Sequence, residues 1–87
     1  MTWKIEFLPS TYKQIERLDQ PVQKRILGFL YQRVLPSKSP RMYGKKLTGR
    51  LSGYWSYRVG DYRIVADIQD HRLTIVAVSI HRQGIQI

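Results

Sequence analysis

The chain contains no cysteine, which removes disulfides and thiolate metal sites from consideration. Carboxylates are scarce: six Asp and Glu stand against fifteen Lys and Arg in 87 residues, a net charge of +9. No cluster of metal ligands is visible, and neither a metal nor another cofactor is expected. No stretch reaches the about 18 consecutive apolar residues that a membrane span needs. The first seven residues, Met1 to Phe7, alternate polar and apolar instead of forming the continuous apolar core of a secretory signal. A cytoplasmic protein with no membrane partner is the expectation. Apolar residues make up 43% of the chain, too many for a disordered tail, so a single domain over 1–87 is expected.

What the chain does have is positive charge. On so short a chain, +9 calls for a polyanionic partner or costs stability through self-repulsion. Nucleic acid is the commonest such partner, and an acidic protein is the other candidate. Residues 1–35 carry six basic and three acidic side chains, whereas 36–87 carry nine and three. Most of the excess falls between Lys38 and Arg63.

Periodicity sets the order of elements. Trp3, Ile5 and Phe7 alternate with Lys4 and Glu6, which predicts a half-buried strand over 2–8. Tyr12, Ile15 and Leu18 follow at helical spacing; Asp19-Gln20-Pro21 breaks the pattern. Val22, Ile26, Phe29, Leu30 and Val34 then resume it, so 9–35 reads as a helical hairpin. Pro36 to Pro40 is a loop by composition, and Arg41 to Arg50 is irregular and basic. The period then changes to two. Strands are expected over 54–59, 62–68 and 73–80, with turns at Gly60-Asp61 and within 69–72. Gly at the first position of a two-residue turn suits a type II′ hairpin. The fold class expected is α+β, in the order β-α-α-β-β-β, with an antiparallel sheet carrying the helical hairpin on one face.

Hairpin register places the candidate site. With Gly60 and Asp61 as the loop, Arg58 stands opposite Arg63 on the same face. Like charges opposed on a sheet are unfavourable by up to about 1 kcal/mol, a cost that an anion bound between them offsets. If Asp70 and His71 form the next loop, Val65 faces Val76 and Arg63 faces Val78. Ile80 and Arg82 then share the arginine face. That register gives a surface of Arg58, Arg63 and Arg82 beside an apolar strip of Val65, Val76, Val78 and Ile80, the strip being a candidate partner-binding surface. Trp55, Tyr57, Ile64, Ala66, Leu73, Ile75 and Ala77 take the core face. Arg41, Lys45, Lys46 and Arg50, with Tyr43 among them, suit an RNA backbone and an unstacked base. Histidine is the side-chain type suited to giving and taking a proton at physiological pH, so His81 is a candidate for proton transfer.

The run Lys46-Leu47-Thr48-Gly49, then Leu51 through Arg63, resembles the RelE/ParE toxin superfamily, whose members often read K-L-x-G followed by L-W-x-Y-R-x-G-D-Y-R. Val78-Ser79-Ile80-His81-Arg82 is similar to the closing strand of that family. The resemblance implies a RelE-like fold and a toxin of a type II toxin–antitoxin system. It most often implies a metal-independent endoribonuclease that cuts mRNA in the ribosomal A site. By position, Arg58 matches a basic strand residue near the scissile phosphate. Arg63 matches the arginine that stabilises the transition state, and Arg82 one that binds phosphate. The resemblance also implies a cognate antitoxin, in a hetero-oligomer that covers the basic surface and the strip of Val65, Val76, Val78 and Ile80. Two departures stand out. Ser56 occupies a position that is often basic, and Gln83 to Ile87 hold no tyrosine where the family frequently has one. The alternatives are a ParE-like toxin that poisons DNA gyrase without cutting RNA, and a basic nucleic-acid-binding module with little or no catalysis.

Overall fold

The computed structural model describes residues 2–82, so Gln83 to Ile87 lie outside the described residues. Strand β1 spans Lys4–Phe7 and feeds directly into helix α1, Pro9–Glu16. Pro9 sits in the first turn of α1, where a missing N–H costs nothing. Helix α2, Gln20–Gly28, starts the same way with Pro21 after an extended Asp19. The Gln23 side chain donates to the Leu18 carbonyl at 2.8 Å and closes the elbow between the helices.

Beyond Gly28 the chain stays helical but widens into a π turn over Phe29–Val34, where the Leu35 N–H donates to the Leu30 carbonyl at 2.9 Å. Ile26, Leu30 and Val34 are almost completely buried. A row at a strict spacing of four drifts around a helix of about 3.6 residues per turn. The wider turn keeps Val34 in line with the other two.

Five strands form one sheet in the order β1-β5-β4-β3-β2, with β2 at Gly44–Lys46, β3 at Trp55–Val59, β4 at Tyr62–Gln69 and β5 at Thr74–Arg82. The helices cover one face. Their apolar stripe meets Tyr57, Val59, Ile64, Ala66, Ile75 and Ala77 in a single core. Among the described residues, no helix is long and apolar enough to cross a membrane.

The α+β architecture is as expected, but the sheet is mixed rather than antiparallel. β1 runs parallel to β5, with Ile5 beside Ile75 and Phe7 beside Ala77. The basic stretch 41–50 also contributes a fifth strand: β2 pairs antiparallel with β3, Lys45 opposite Ser56. Gly44 is packed so closely on Tyr57 and Trp55 that an added Cβ would lie 3.1 Å from the Tyr57 ring. Glycine is therefore what lets this edge strand reach the aromatics.

The β3–β4 hairpin has the expected two-residue turn. Gly60 takes φ +58° while Asp61 does not cross to positive φ, the sign pattern of a type II′ turn. The β4–β5 connection is longer than expected. Asp70–Arg72 form a short helical turn, and Leu73, assigned to the core by its period, instead bends in the left-handed region at φ 48°. Gln69 therefore pairs with Thr74, and Ala66 with Ala77. A bulge then intervenes, and Val65 pairs with Ser79, not Val76. One extra residue in a strand flips every later side chain to the opposite face.

Candidate functional site

The tight turn at Gly60-Asp61 fixes the first half of the site. Arg58 stands directly opposite Arg63. The ladder puts Lys45, Ser56 and Val65 on the same sheet face as the two arginines. A cleft of about 250 Å³ opens there, walled by Tyr43, Lys45, Leu47, Ser56, Arg58 and Arg63, with Gly44 also lining it. The ion pairs of the described residues use Lys4, Arg41 and Arg72, and leave out Arg58 and Arg63. The Arg63 Nε–H is buried and has no acceptor among the described residues. A buried donor left unmatched costs about 1–3 kcal/mol. An anionic oxygen entering the cleft would satisfy it and separate the two like charges.

The bulge fixes the second half. It brings His81 opposite Arg63, and Ser79 opposite Val65. Ser79 Oγ and His81 Nε2 share a hydrogen bond at 2.9 Å, which orients the ring. The bulge is held from α1. β1 covers β5 only as far as Ala77, so the backbone beyond has no strand neighbour on that side. Side chains of α1 replace one. Thr11, fully buried, donates its hydroxyl to the Val78 carbonyl. The Gln14 amide both donates to the Ile80 carbonyl and accepts from the Ile80 N–H, each at 3.0 Å. Unbroken alternation along β5 could not reveal this, because the partners are more than 60 residues away.

The same bulge corrects the expected surface. Ile80 lies in the core, 6% exposed, and not beside the arginines. Val65 and Val76 are buried at 2% and 7% exposure, and Val78 is half-buried in the bulge, so the four residues form no exposed strip. Arg82 pairs with Tyr62, a core-packed residue, which places it at the sheet end on the face opposite Arg63. Ser79 takes a place at the site that straight alternation gave to Val78.

The four basic residues of 41–50 part company. Lys45 lines the cleft. Lys46 pairs with Trp55 on the opposite face, and Arg50 is exposed in the short turn Gly49–Leu51. Arg41 is engaged elsewhere. It donates to both Asp70 oxygens at 3.0 and 2.7 Å and lies 5.5 Å above the Trp55 ring. That hydrogen bonding raises its own pKa and holds the Asp70 carboxyl below the usual carboxylate range. Tyr57 donates its hydroxyl to the neighbouring Pro40 carbonyl; burial pushes that hydroxyl up to about 12. Arg41 thus clamps the loop to the sheet. Tyr43, 44% exposed, stands edge-on to Phe29 at 6.1 Å and keeps its ring at the cleft.

Comparison with known proteins agrees with this architecture. The family described as "ParE toxin of type II toxin-antitoxin system, parDE" matches residues 5–85. The chain is 27% identical to Toxin RelG of Mycobacterium tuberculosis over 86 residues, covering 98% of this chain and 97% of that protein. Among solved structures it resembles the RelBE2 toxin–antitoxin complex of M. tuberculosis, with a TM-score of 0.85 at 21% identity over 98% of this chain and 95% of the other. It also resembles the isolated E. coli RelE toxin, with a TM-score of 0.74 at 15% identity over 99% and 88%. The archaeal RelE–RelB complex of Pyrococcus horikoshii gives 0.74 at 21% identity over 99% and 100%. With the whole fold and nearly the whole sequence matched, the chain belongs to the ParE toxin family of type II toxin–antitoxin systems, within the RelE/ParE superfamily.

Proposed function

We propose that this toxin is a metal-independent endoribonuclease that cuts mRNA, at the ribosome, through the cleft between Arg58 and Arg63. The observation that carries the reading is this opposed pair: among the described residues neither arginine has a carboxylate partner, and the Arg63 Nε–H is buried without an acceptor. In the reaction the 2′-hydroxyl oxygen attacks the adjacent phosphorus and the 5′-oxygen leaves. The products are a 2′,3′-cyclic phosphate and a 5′-hydroxyl. The phosphorane in between carries more negative charge than the diester. Fixed guanidinium groups therefore favour it over the ground state. Arginine is too weakly acidic to exchange the protons at neutral pH. His81, opposite Arg63 and oriented by Ser79, is the group suited to that. Tyr43 offers a ring face for an unstacked base beside the arginines, where Gln83 to Ile87 supply no tyrosine. Arg82, by its place at the sheet end, would bind the strand outside the cleft rather than the scissile phosphate.

A cognate antitoxin is part of the proposal. The basic surface suits an acidic partner, and two of the similar solved structures are toxin–antitoxin complexes. The two would form a hetero-oligomer in the cytoplasm.

The test is expression of wild type and an Arg58→Ala/Arg63→Ala variant, with mapping of mRNA 5′ ends. The proposal expects new 5′-hydroxyl ends in translated messages with wild type and none with the variant. The match to a ParE family model keeps a second reading in play, the ParE-like poisoning of DNA gyrase that the sequence resemblance also implies. Intact transcripts accompanied by DNA breaks would establish that reading and overturn the first.

A further inference from the structure

Arg58 also lines a second and larger cleft, of about 460 Å³, at the junction of the helices and the β3–β4 turn. Lys24, Arg25, Gly28 and Arg33 are among the residues of its helical wall, and Arg58 and Gly60 flank Val59 on the hairpin wall. Among the described residues, no carboxylate lines it. Lys24, Arg25 and Arg33 are exposed, and none belongs to the ion pairs of the described residues. Concentrated like charge of this kind repels itself unless an anion occupies the space.

Gly28 adds an independent observation. It lies in continuous helix, at φ −60° and ψ −43°, where glycine is the weaker choice and alanine the stronger. Packing does not require glycine there either. An added Cβ would meet only the Gln32 side chain, at 3.9 Å. What the missing side chain does provide is bare backbone on the cleft wall. Across the cleft, Gly60 leaves room for Arg25: a Cβ there would come within 2.9 Å of the Arg25 guanidinium.

The chemistry of the lining selects the occupant. An acidic helix docks through apolar anchors at helical spacing. The apolar residues of the lining, Phe29 and Val59, are packed into the core and offer no projecting anchor; among the described residues, the large exposed apolar side chains, such as Tyr12, Tyr31 and Met42, lie outside the cleft. A phosphodiester backbone needs cations and close approach to main chain, and both are present. We infer that the cleft is a second phosphate subsite for the same RNA strand, holding the backbone of nucleotides next to the scissile one, with Arg58 as the joint between the two clefts. This rests on the proposal that RNA is the substrate. It adds where the rest of the strand lies.

The test is fluorescence anisotropy with uncleavable 2′-methoxy oligoribonucleotides, from a dinucleotide upward. Wild type is compared with Lys24→Ala/Arg33→Ala, which changes only exposed side chains, and with Gly28→Ala. Wild-type affinity should climb with length. The double variant should lose about tenfold on the long strands and nothing on the dinucleotide, with a shallower salt dependence. Gly28→Ala should raise the Tm and still weaken the long strand, a combination that a purely structural glycine would not give. Equal loss on short and long strands would reduce the effect to bulk charge and overturn the subsite. So would no loss on either. Competition by polyglutamate as effective as by RNA, and abolished by the double variant, would make the cleft a protein-docking face instead. Length-dependent binding through this cleft without any mRNA cutting would support the subsite and count only against the nuclease reading.

Discussion

Two sets of arginines sit within a few strands of each other and are treated in opposite ways. Arg41 is neutralised: Asp70 accepts from both prongs of its fork and Trp55 lies beneath it. Arg58 and Arg63 are opposed to each other, and no carboxylate of the described residues answers them. The lesson is that abundance of charge does not mark a site in a chain of +9. Charge that the fold holds without compensation does. An exposed ion pair is a modest structural tie, whereas two preorganised cations are poised for an anion.

Removing one arginine from each setting should have opposite consequences. Arg63→Ala should lower cleavage by about 100–1,000-fold, the range found when one charge-stabilising donor is removed from a transition state. Its Tm should hold or rise, since an unmatched buried donor leaves with it. Arg72→Ala serves as the charge-matched control. Arg72 is paired with Glu6 at 3.1 Å, and cleavage there should stay near wild type. Comparable losses at both positions would reduce the account to bulk charge.

The next effect concerns the bulge. Thr11→Val keeps the shape of the side chain and removes its bond to the Val78 carbonyl in a buried setting. It should cost about 1–3 kcal/mol in urea unfolding. Because the bulge sets the face of Ser79 and His81, cleavage should fall by more than the unfolded fraction explains.

Arg41→Ala should do the reverse of Arg63→Ala. Loss of its stacking on Trp55 alone is worth about 0.5–1 kcal/mol, so the Tm falls while the Arg58/Arg63 cleft keeps its chemistry. The smallest effect is that of pH. The Asp70 pKa is depressed by Arg41, so its contribution is present above the unfolded carboxylate pKa of about 3.9 and is lost as pH falls below it. Acid unfolding of wild type and Asp70→Asn should therefore converge below about pH 4 and differ above it.

Legibility in the sequence followed the same division between local and distant causes. The β3–β4 register was readable because Gly60-Asp61 permits one short turn, and Arg58 and Arg63 are only five positions apart. The helical hairpin was readable from Ile15, Ile26, Leu30 and Val34. The parallel partnership of β1 and β5 was not, since it joins residues at the two ends of the chain. β2 was hidden because Gly44-Lys45-Lys46 has no apolar alternation, and it is held by β3 and by the Arg41 clamp. The bulge at Val78 was hidden for a related reason. No glycine marks it, and the groups that satisfy it, Thr11 and Gln14, come from α1. Without the bulge, straight alternation puts Ile80 and Arg82 on the arginine face and Val78 where Ser79 stands.

Two arginine side-chain protons report directly on whether the opposed pair grips phosphate. With the protein labelled with ¹⁵N, a simple phosphodiester such as an uncleavable dinucleotide is titrated in while the Arg63 and Arg41 Nε–H signals are followed. If the opposed arginines grip the phosphate, the Arg63 signal shifts and becomes protected from exchange, and the Arg41 signal stays where Asp70 holds it. A silent Arg63, or two signals that move together, would contradict the account.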